Sequence, residues 1–175
     1  MKFLKYTLIV IALLVAGFFL LGMVKSELTY DCEIIIDKPL AESWAVSQDD
    51  TKLKDWLEGF QKNEHISGTP GTVGAVSDIY FIQDGEEMSI RETIKEINPN
   101  KSISMLFEMD FMNIDYTMTM VNVDGNTKIS SNSVVTGNGM FAKSFIALIG
   151  STFSAQEDNN LNNLKQVIEK NSDSY

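Results

Sequence analysis

The sequence MFAKSFIALIGSTFSAQEDNNLNNLKQVIEK, residues Met140–Lys170, is the element around which the rest of the chain can be arranged. Its first half is apolar on nearly every side and is expected to be buried all round. Gly150 stands where this pattern changes phase, so we predict one long helix with a bend or a close backbone approach there. The second half has the spacing of an amphipathic helix, with apolar residues at Phe153, Leu161, Leu164, Val167 and Ile168.

A helix this apolar needs a surface to cover, and the preceding residues supply a candidate. From Thr72 onward apolar and polar side chains alternate, interrupted by turn signals such as Asp84-Gly85 and Asp124-Gly125-Asn126. Because such short connections join antiparallel neighbours, the pattern predicts a meander. The alternation in its first and last strands is not clean enough to assign their faces. The predicted strands are 73–83, 87–97, 102–110, 114–123 and 127–136.

Upstream of the meander the pattern indicates another strand and a helical region. Tyr30–Asp37 alternates, with Cys32 on its apolar face as a small core residue. Pro39 then opens two short predicted helices that reach Phe60. The only histidine, His65, follows in a predicted loop. It is a weak candidate for a general base, because no Ser or Cys nucleophile context accompanies it.

The inward faces of the third and fourth strands of the meander are rich in methionine. Flexible thioether side chains can serve as core filler, and they equally suit a pocket that adapts to ligands of variable shape. From these residues alone both interpretations stay open. The inward-facing set includes Met105, Phe107, Met109, Tyr116, Met118 and Met120.

Two carboxylates interrupt the apolar pattern. Glu92 lies among inward-facing residues of the second strand of the meander, and Glu157 lies between Phe153 and Leu161 on the helix. A carboxylate buried alone costs several kcal/mol or stays protonated, so each needs a partner, a water-filled cavity or a position at a rim. We expect both to point toward the space between helix and sheet, either inside a cavity or at its solvated ends.

The first 25 residues are interpreted as an N-terminal membrane anchor. Lys2 and Lys5 precede Tyr6–Val24, which contains no charge and spans roughly 28 Å as a helix. The competing interpretation is a cleaved signal peptide, but the apolar run is long and no clean cleavage site follows it. The lysines favour a cytoplasmic N-terminus and a single-pass topology with the domain on the extracytoplasmic side.

The remaining residues form one acidic domain, predicted at 26–170, and a disordered tail at 171–175. Three of the 14 Lys/Arg and none of the 24 Asp/Glu lie in residues 1–25, so residues 26–175 carry 11 against 24. This excess of negative charge argues against nucleic-acid partners. No Cys/His cluster or phosphate-binding glycine loop indicates a metal or another cofactor. The sequence leaves the oligomeric state open.

Several short segments, in order along the chain, carry a family resemblance. They are Pro39 with Trp44, Asp49-Asp50 and Trp56; Gly71-Thr72-Val73-Gly74; Arg91-Glu92-Thr93-Ile94-Lys95-Glu96-Ile97-Asn98-Pro99; and Asn160–Glu169. Over about residues 30–170 the chain resembles the START-like, Bet v 1-like or SRPBCC superfamily, nearest its bacterial polyketide cyclase/dehydrase and lipid-transport branch. The resemblance implies an α+β helix-grip fold, in which a curved antiparallel sheet wraps the long C-terminal helix around an apolar cavity.

The resemblance also implies a binding function rather than a particular reaction, because most such domains bind or carry hydrophobic molecules and share no universal catalytic motif. We therefore predict a membrane-anchored binder of a lipid or polyketide-like compound. One alternative is a cyclase or hydrolase that uses Glu92 as acid or base, with His65 or Tyr116 helping. Another is an interaction module without a ligand. In the binder, Phe145, Ile149 and Phe153 are expected to face the methionine-rich strands across the cavity.

Overall fold

The computed structural model describes residues 2–83 and 85–172 of the chain. Its helices are α1 (Lys2–Val24), α2 (Leu40–Ser47), α3 (Leu53–Trp56) and α4 (Met140–Lys170), with a 3-10 turn at Asp50–Lys52. Its strands are β1 (Glu27–Ile36), β2 (Phe60–Ser67), β3 (Val76–Gln83), β4 (Glu86–Asn98), β5 (Ser102–Glu108), β6 (Met112–Val123) and β7 (Asn126–Gly137).

The strands form one antiparallel sheet in the order β1-β7-β6-β5-β4-β3-β2. Strands β2–β7 follow one another as a meander, and β1 pairs with β7 from Glu27 opposite Thr136 to Ile36 opposite Thr127. The predicted meander and helix-grip arrangement are confirmed. The five predicted strands correspond to β3–β7, with ends displaced by no more than three residues. Asp84, in the predicted turn between β3 and β4, lies outside the described residues.

One strand was missed in the sequence analysis. The prediction that the second helix reaches Phe60 and that His65 lies in a loop is wrong, because residues 60–67 form β2 at the edge of the sheet. Most of its side chains are exposed. An edge strand with little buried surface lacks the apolar alternation by which strands are recognised, and Lys62 and Glu64 instead form an exposed ion pair.

The second half of α4 covers the main core. Leu161, Leu164 and Ile168 are almost fully buried against inward-facing side chains of β1, β5, β6 and β7 and against Trp44 of α2. The predicted close approach at Gly150 is confirmed, since a Cβ atom there would lie 2.9 Å from the Leu28 Cδ1 atom of β1. Glycine lets the helix backbone approach the Leu28 side chain closely.

The first half of α4 is not buried all round, so that expectation was wrong. Ala142 and Ile146 face inward and are buried, but Phe141, Phe145 and Leu148 are exposed on the opposite side. A sheet can cover only one face of a helix. Packing on the sheet therefore does not account for the apolar side chains on the other face. Helix α1 packs along part of it, with the Phe18 and Phe141 rings 5.6 Å apart.

A tight contact fixes the start of α4 on the end of β7. A Cβ atom added at Gly137 would lie 2.5 Å from the Lys143 nitrogen and 2.7 Å from the Ala142 carbonyl carbon. Because both are backbone atoms, we expect Gly137→Ala to lower the free energy of unfolding by about 1–3 kcal/mol. Chemical denaturation of the detergent-solubilised protein measures this. Gly17→Ala is the control, since nothing lies within 4 Å of that position; equal stability of both variants would contradict the contact.

The chain beyond α4 is described only in part. The Asn171 nitrogen donates a hydrogen bond to the Ile168 carbonyl oxygen, and the Lys38 ammonium group donates one to the Asn171 carbonyl oxygen. The first residue of the predicted disordered tail, Asn171, is therefore held to the domain. Residues 173–175 of that tail lie outside the described residues.

Candidate functional site

A polar cluster lies between α4 and the middle of the sheet. The Tyr116 hydroxyl group of β6 donates a hydrogen bond of 3.0 Å to Glu157 Oε1 of α4. Burial raises the pKa of Glu157, although the nearby Ser131 hydroxyl group and the hydrogen bond from Tyr116 act in the opposite direction. Burial and the neighbouring Glu157 carboxylate hold the pKa of Tyr116 well above its usual range. The structure thus brings together two residues that the sequence analysis selected separately.

Strands β7 and β1 complete this cluster. Ser133 of β7 pairs with Tyr116 on one side and with Tyr30 on the other, so the three side chains share the inward face. The Tyr30 ring stacks on Phe153 of α4 at a centroid distance of 6.5 Å. Burial raises the pKa of Tyr30. The predicted inward position of Phe153 agrees with this contact.

The serines of this cluster were not predicted from the sequence. Ser131 and Ser133 are only 2% and 1% exposed, and they lie between the buried residues Ile129 and Val135 on the same face of β7. The strand alternates perfectly in burial but not in polarity. Hydrophobic periodicity therefore could not assign its faces.

Glu92 occupies a separate position on the inward face of the sheet. It pairs with Ser77 of β3 and Phe107 of β5. Burial raises its pKa to about 7, and the like charge of Asp50 in the 3-10 turn adds to the effect. Burial and Asp49 also raise the pKa of Asp50. Burial and, to a lesser extent, the nearby Asp50 thus disfavour ionisation of Glu92 and bring its pKa close to neutral pH.

The predicted pocket residues of the sheet separate into two groups. Met118 and Met120 are buried in the main core against the second half of α4, and Met109 packs in a smaller cluster with Met112, Val135 and Ile146. Met105 and Phe107 are half-buried, and Met105 also packs against the main core. The Phe107 ring meets the Tyr116 ring edge to face at 6.0 Å. The half-buried inward surface includes Ile90, Glu92, Met105, Phe107 and Tyr116.

The three residues of α4 that were predicted to face the cavity also differ in burial. Ile149 and Phe153 are half-buried. Phe145 is exposed, and its ring stacks on Phe141 at 6.4 Å. The inward position expected for Phe145 is therefore wrong, because the inward stripe of this half of the helix passes through Ala142 and Ile146.

His65 lies apart from both groups. It pairs with Ser77, which in turn pairs with Glu92. Two strand spacings, roughly 10 Å in total, therefore separate the backbones of His65 and Glu92. The exposed imidazole Nε2 lies 3.1 Å from the Gly68 carbonyl oxygen. The imidazole Nε2 therefore contacts the loop after β2 rather than Glu92.

Cys32 is a core residue in this structure. Burial raises the pKa of its thiol to about 12, and its Sγ atom lies 3.7 Å from the Ser154 carbonyl oxygen. A thiol in this state is a poor nucleophile. Within residues 2–83 and 85–172, no three His, Cys, Asp or Glu side chains are grouped so that they could hold a metal ion.

An open polar groove of about 640 Å³ lies on the other face of the sheet. Arg91 spans it by hydrogen bonds of 2.8 and 2.9 Å to the Asp78 carboxylate. Glu87 and Glu108 line it too, so acidic groups outnumber basic ones there. Hydrophobic patterning does not indicate this groove, because it depends on which residues of three strands lie opposite one another.

Comparison with solved structures identifies the fold. Ara h 8.0201 has a TM-score of 0.67 at 14% identity and is matched over 83% of this chain and 99% of its own. Protein TTHA0849 from Thermus thermophilus has a TM-score of 0.68 at 14% identity, over the same shares. The di-domain ARO/CYC StfQ from the steffimycin biosynthetic pathway has a TM-score of 0.69 at 10% identity, over 83% of this chain and 52% of its own.

Sequence comparison identifies the family. No curated protein matches the chain. The family model described as polyketide cyclase / dehydrase and lipid transport matches residues 26–169. This range holds the whole sheet and nearly all of α4. The chain therefore belongs to the polyketide cyclase/dehydrase and lipid transport family, within the SRPBCC/START-like superfamily.

Proposed function

We propose that this protein is a membrane-anchored domain that binds a hydrophobic small molecule, a lipid or a polyketide-like compound, between the sheet and α4. The observation that carries the proposal is the half-buried apolar surface of Met105 and Phe107 beside the Tyr116–Glu157 hydrogen bond. Binding pockets for small molecules typically combine an apolar lining with a few placed polar groups. The family description, which includes lipid transport, supports the same class of ligand.

The arrangement favours an amphipathic ligand. Its apolar body would lie on Met105, Phe107 and Ile90, and its polar end would reach Tyr116 and Glu157. A buried tyrosine accommodates an apolar wall and a hydrogen bond at once. Ile149 and Phe153 would close the site from α4, while Met118 and Met120 would support it from the core rather than touch the ligand.

Helix α1 supplies the anchor in this proposal. Among the described residues it is the one helix long and apolar enough to cross a membrane, with 22 residues from Phe3 to Val24 at a mean hydropathy of 2.8. A signal sequence would satisfy the same criterion. We favour a retained anchor because α1 packs against α4 of the mature fold. The lysines before it favour an extracytoplasmic position for the domain.

Two tryptophan substitutions test where a ligand lies. Met105→Trp should block ligand binding at a lower cost in stability than Met118→Trp, because Met105 packs against the core but is half-buried, so part of the added volume enters the open surface. Met118→Trp should instead lower the free energy of unfolding by about 1–3 kcal/mol, because that side chain is 5% exposed in a packed core. Native mass spectrometry of residues 26–175 detects a co-purifying ligand, uptake of an apolar fluorescent dye measures binding, and thermal melting measures stability.

The matched pair also separates the binder from the interaction module. The opposite result would be that Met105→Trp destabilises the domain as much as Met118→Trp, with neither ligand nor dye binding to the unchanged domain. In that case the domain's own side chains fill the region between the sheet and α4. That outcome would contradict the binding function.

The alternative function is an enzyme that uses Glu92 as general acid or base. One observation favours it: a carboxyl group with a pKa of about 7 is suited to proton transfer at neutral pH. Asp50 is the second acid at that position. The test is Glu92→Gln, which must abolish turnover of a candidate polyketide-like substrate without unfolding the domain.

A further inference from the structure

We propose that the start of α4 and the tip of the β5–β6 turn enter the lipid bilayer beside α1, so that the domain is seated in the membrane surface. The proposal rests on the membrane anchor of the proposed function, and it adds a second membrane contact. The surface, here called the α4 apolar face, consists of Met140, Phe141, Phe145 and Leu148 together with Phe111.

The α4 apolar face is exposed although its side chains are large and hydrophobic. Phe141 is 67% exposed and Leu148 is 58% exposed, and the other three members are between 41% and 44% exposed. Four of the five fall within nine consecutive residues of one helix. Soluble monomeric proteins rarely leave such a contiguous patch in water, and membrane contact is one of its recognised uses.

Contacts between α1 and α4 set the depth of this face. The Phe18 ring lies 5.6 Å from the Phe141 ring, and a Cβ atom at Gly22 would lie 2.4 Å from Ser144 Oγ. Small residues permit this close approach of helices in membranes. The two contacts follow the same order along both helices, so α1 and α4 run parallel here. Phe18 lies six residues before the end of α1 at Val24, or about 9 Å at helical rise.

This depth identifies lipid as the occupant. If α1 spans the bilayer, Phe18 lies within the hydrocarbon region, whose thickness of about 30 Å matches the length of α1. Phe141, at the level of Phe18, must then lie within it too. No long flexible linker could move Phe141 out of the hydrocarbon region, because only Lys25 and Ser26 separate α1 from β1.

Phe111 belongs to the same end of the domain. The Asn138 nitrogen donates a hydrogen bond of 2.7 Å to the Phe111 carbonyl oxygen, and the Asn138 side-chain amide donates one of 3.2 Å to the Met109 carbonyl oxygen. These bonds tie the β5–β6 turn to the loop before α4. Lys25 follows α1 directly, so its ammonium group can contact lipid phosphates. Asp110 is the acidic residue of the β5–β6 turn.

Depth-dependent quenching tests the proposal on the full chain. In a Cys32→Ala background, single cysteines replace Phe145 or Leu148, each labelled with an environment-sensitive fluorophore, in phosphatidylcholine vesicles containing lipids brominated on the acyl chain. Leu13→Cys reports the anchor itself. Val121→Cys is the matched control: it is an exposed apolar residue on β6, nine residues from Met112 and so roughly 30 Å from the membrane end.

We expect bromolipid quenching at position 145 to be about twofold or more above that at position 121. Position 148, which the helical rise places level with the end of α1, should be quenched less than position 145 but more than position 121, and position 13 should be quenched most. Quenching at 13 but only control-level quenching at 145 and 148 would overturn the proposal and leave the anchor intact. Control-level quenching at 13 as well would overturn the anchor. A shift of fluorophore emission at 145 that disappears on diluting the protein in lipid, without quenching, would identify a second copy as the occupant and also overturn the proposal.

Discussion

Ending the chain at Gly139 is expected to abolish folding of the domain. The truncation removes α4, whose inward residues Ile146, Leu161, Leu164 and Ile168 are at most 3% exposed. Burial of each such side chain contributes about 1.5–3 kcal/mol. Their sum, with the apolar surface left uncovered on β1, β6 and β7, approaches the whole stability of a typical domain, about 5–15 kcal/mol.

The measurement compares detergent-solubilised full-length protein with the truncated chain by thermal melting and by sedimentation of insoluble protein. A second truncation that removes only residues 173–175 controls for the loss of chain length, and it should melt like the full chain. If the chain ending at Gly139 melted cooperatively within a few degrees of the full protein, α4 would not be the element that holds the sheet in its folded form.

Glu92→Gln is expected to stabilise the protein above neutral pH and to have little effect in acid. Burial raises the pKa of Glu92 from 4.5 to about 7, so the folded state favours the protonated form. Below the unfolded-state pKa the carboxyl group is neutral in both states and carries no penalty. As the pH rises from 4.5 through 7 the folded state must give up this proton, and stability falls by up to about 3 kcal/mol. Glutamine does not ionise, so its variant avoids the loss.

Chemical denaturation at pH 4.5, 6, 7 and 8 measures this difference. The stability of the variant relative to the unchanged protein should grow with pH and level off above 7. Glu87→Gln is the matched control, because Glu87 is an exposed carboxylate of the same strand. Parallel pH profiles for the Glu92 variant and the unchanged protein would show that Glu92 is solvated. The same variant decides the enzyme alternative, since turnover that survives it excludes Glu92 as the acid or base.

The elements that were predicted well are those in which one physical effect dominates. The second half of α4 and strand β6 each bury one apolar face, so their hydrophobic periods agree with the structure. The pairing of Tyr116 with Glu157 depends on how two elements dock, which periodicity does not describe. The sequence indicated only that Glu157 needs a partner, because its charge interrupts an apolar stripe.

The errors have physical causes of the same kind. Strand β2 buries little, so it carries no apolar alternation, and His65 was therefore assigned to a loop. Strand β7 buries Ser131 and Ser133 beside aliphatic residues, so its faces could not be assigned from hydrophobicity. In the first half of α4, an all-apolar pattern was interpreted as complete burial, whereas Phe145 is apolar and exposed. Apolar composition shows that a side chain avoids water, but not whether protein or lipid provides the alternative.

The pairing of β1 with β7 has a consequence for the order of events during synthesis. Glu27 and Thr136 lie opposite each other although about a hundred residues separate them in the chain. At about 5–20 residues per second, the ribosome needs roughly 5–20 s between these strands. During that time the hydrogen-bonding edge of β1 lacks the strand with which it pairs in the folded protein. Such distant pairing is intrinsically slow to form, so we expect folding to finish only after α4 has emerged. Until then the nascent protein is most exposed to aggregation and proteolysis.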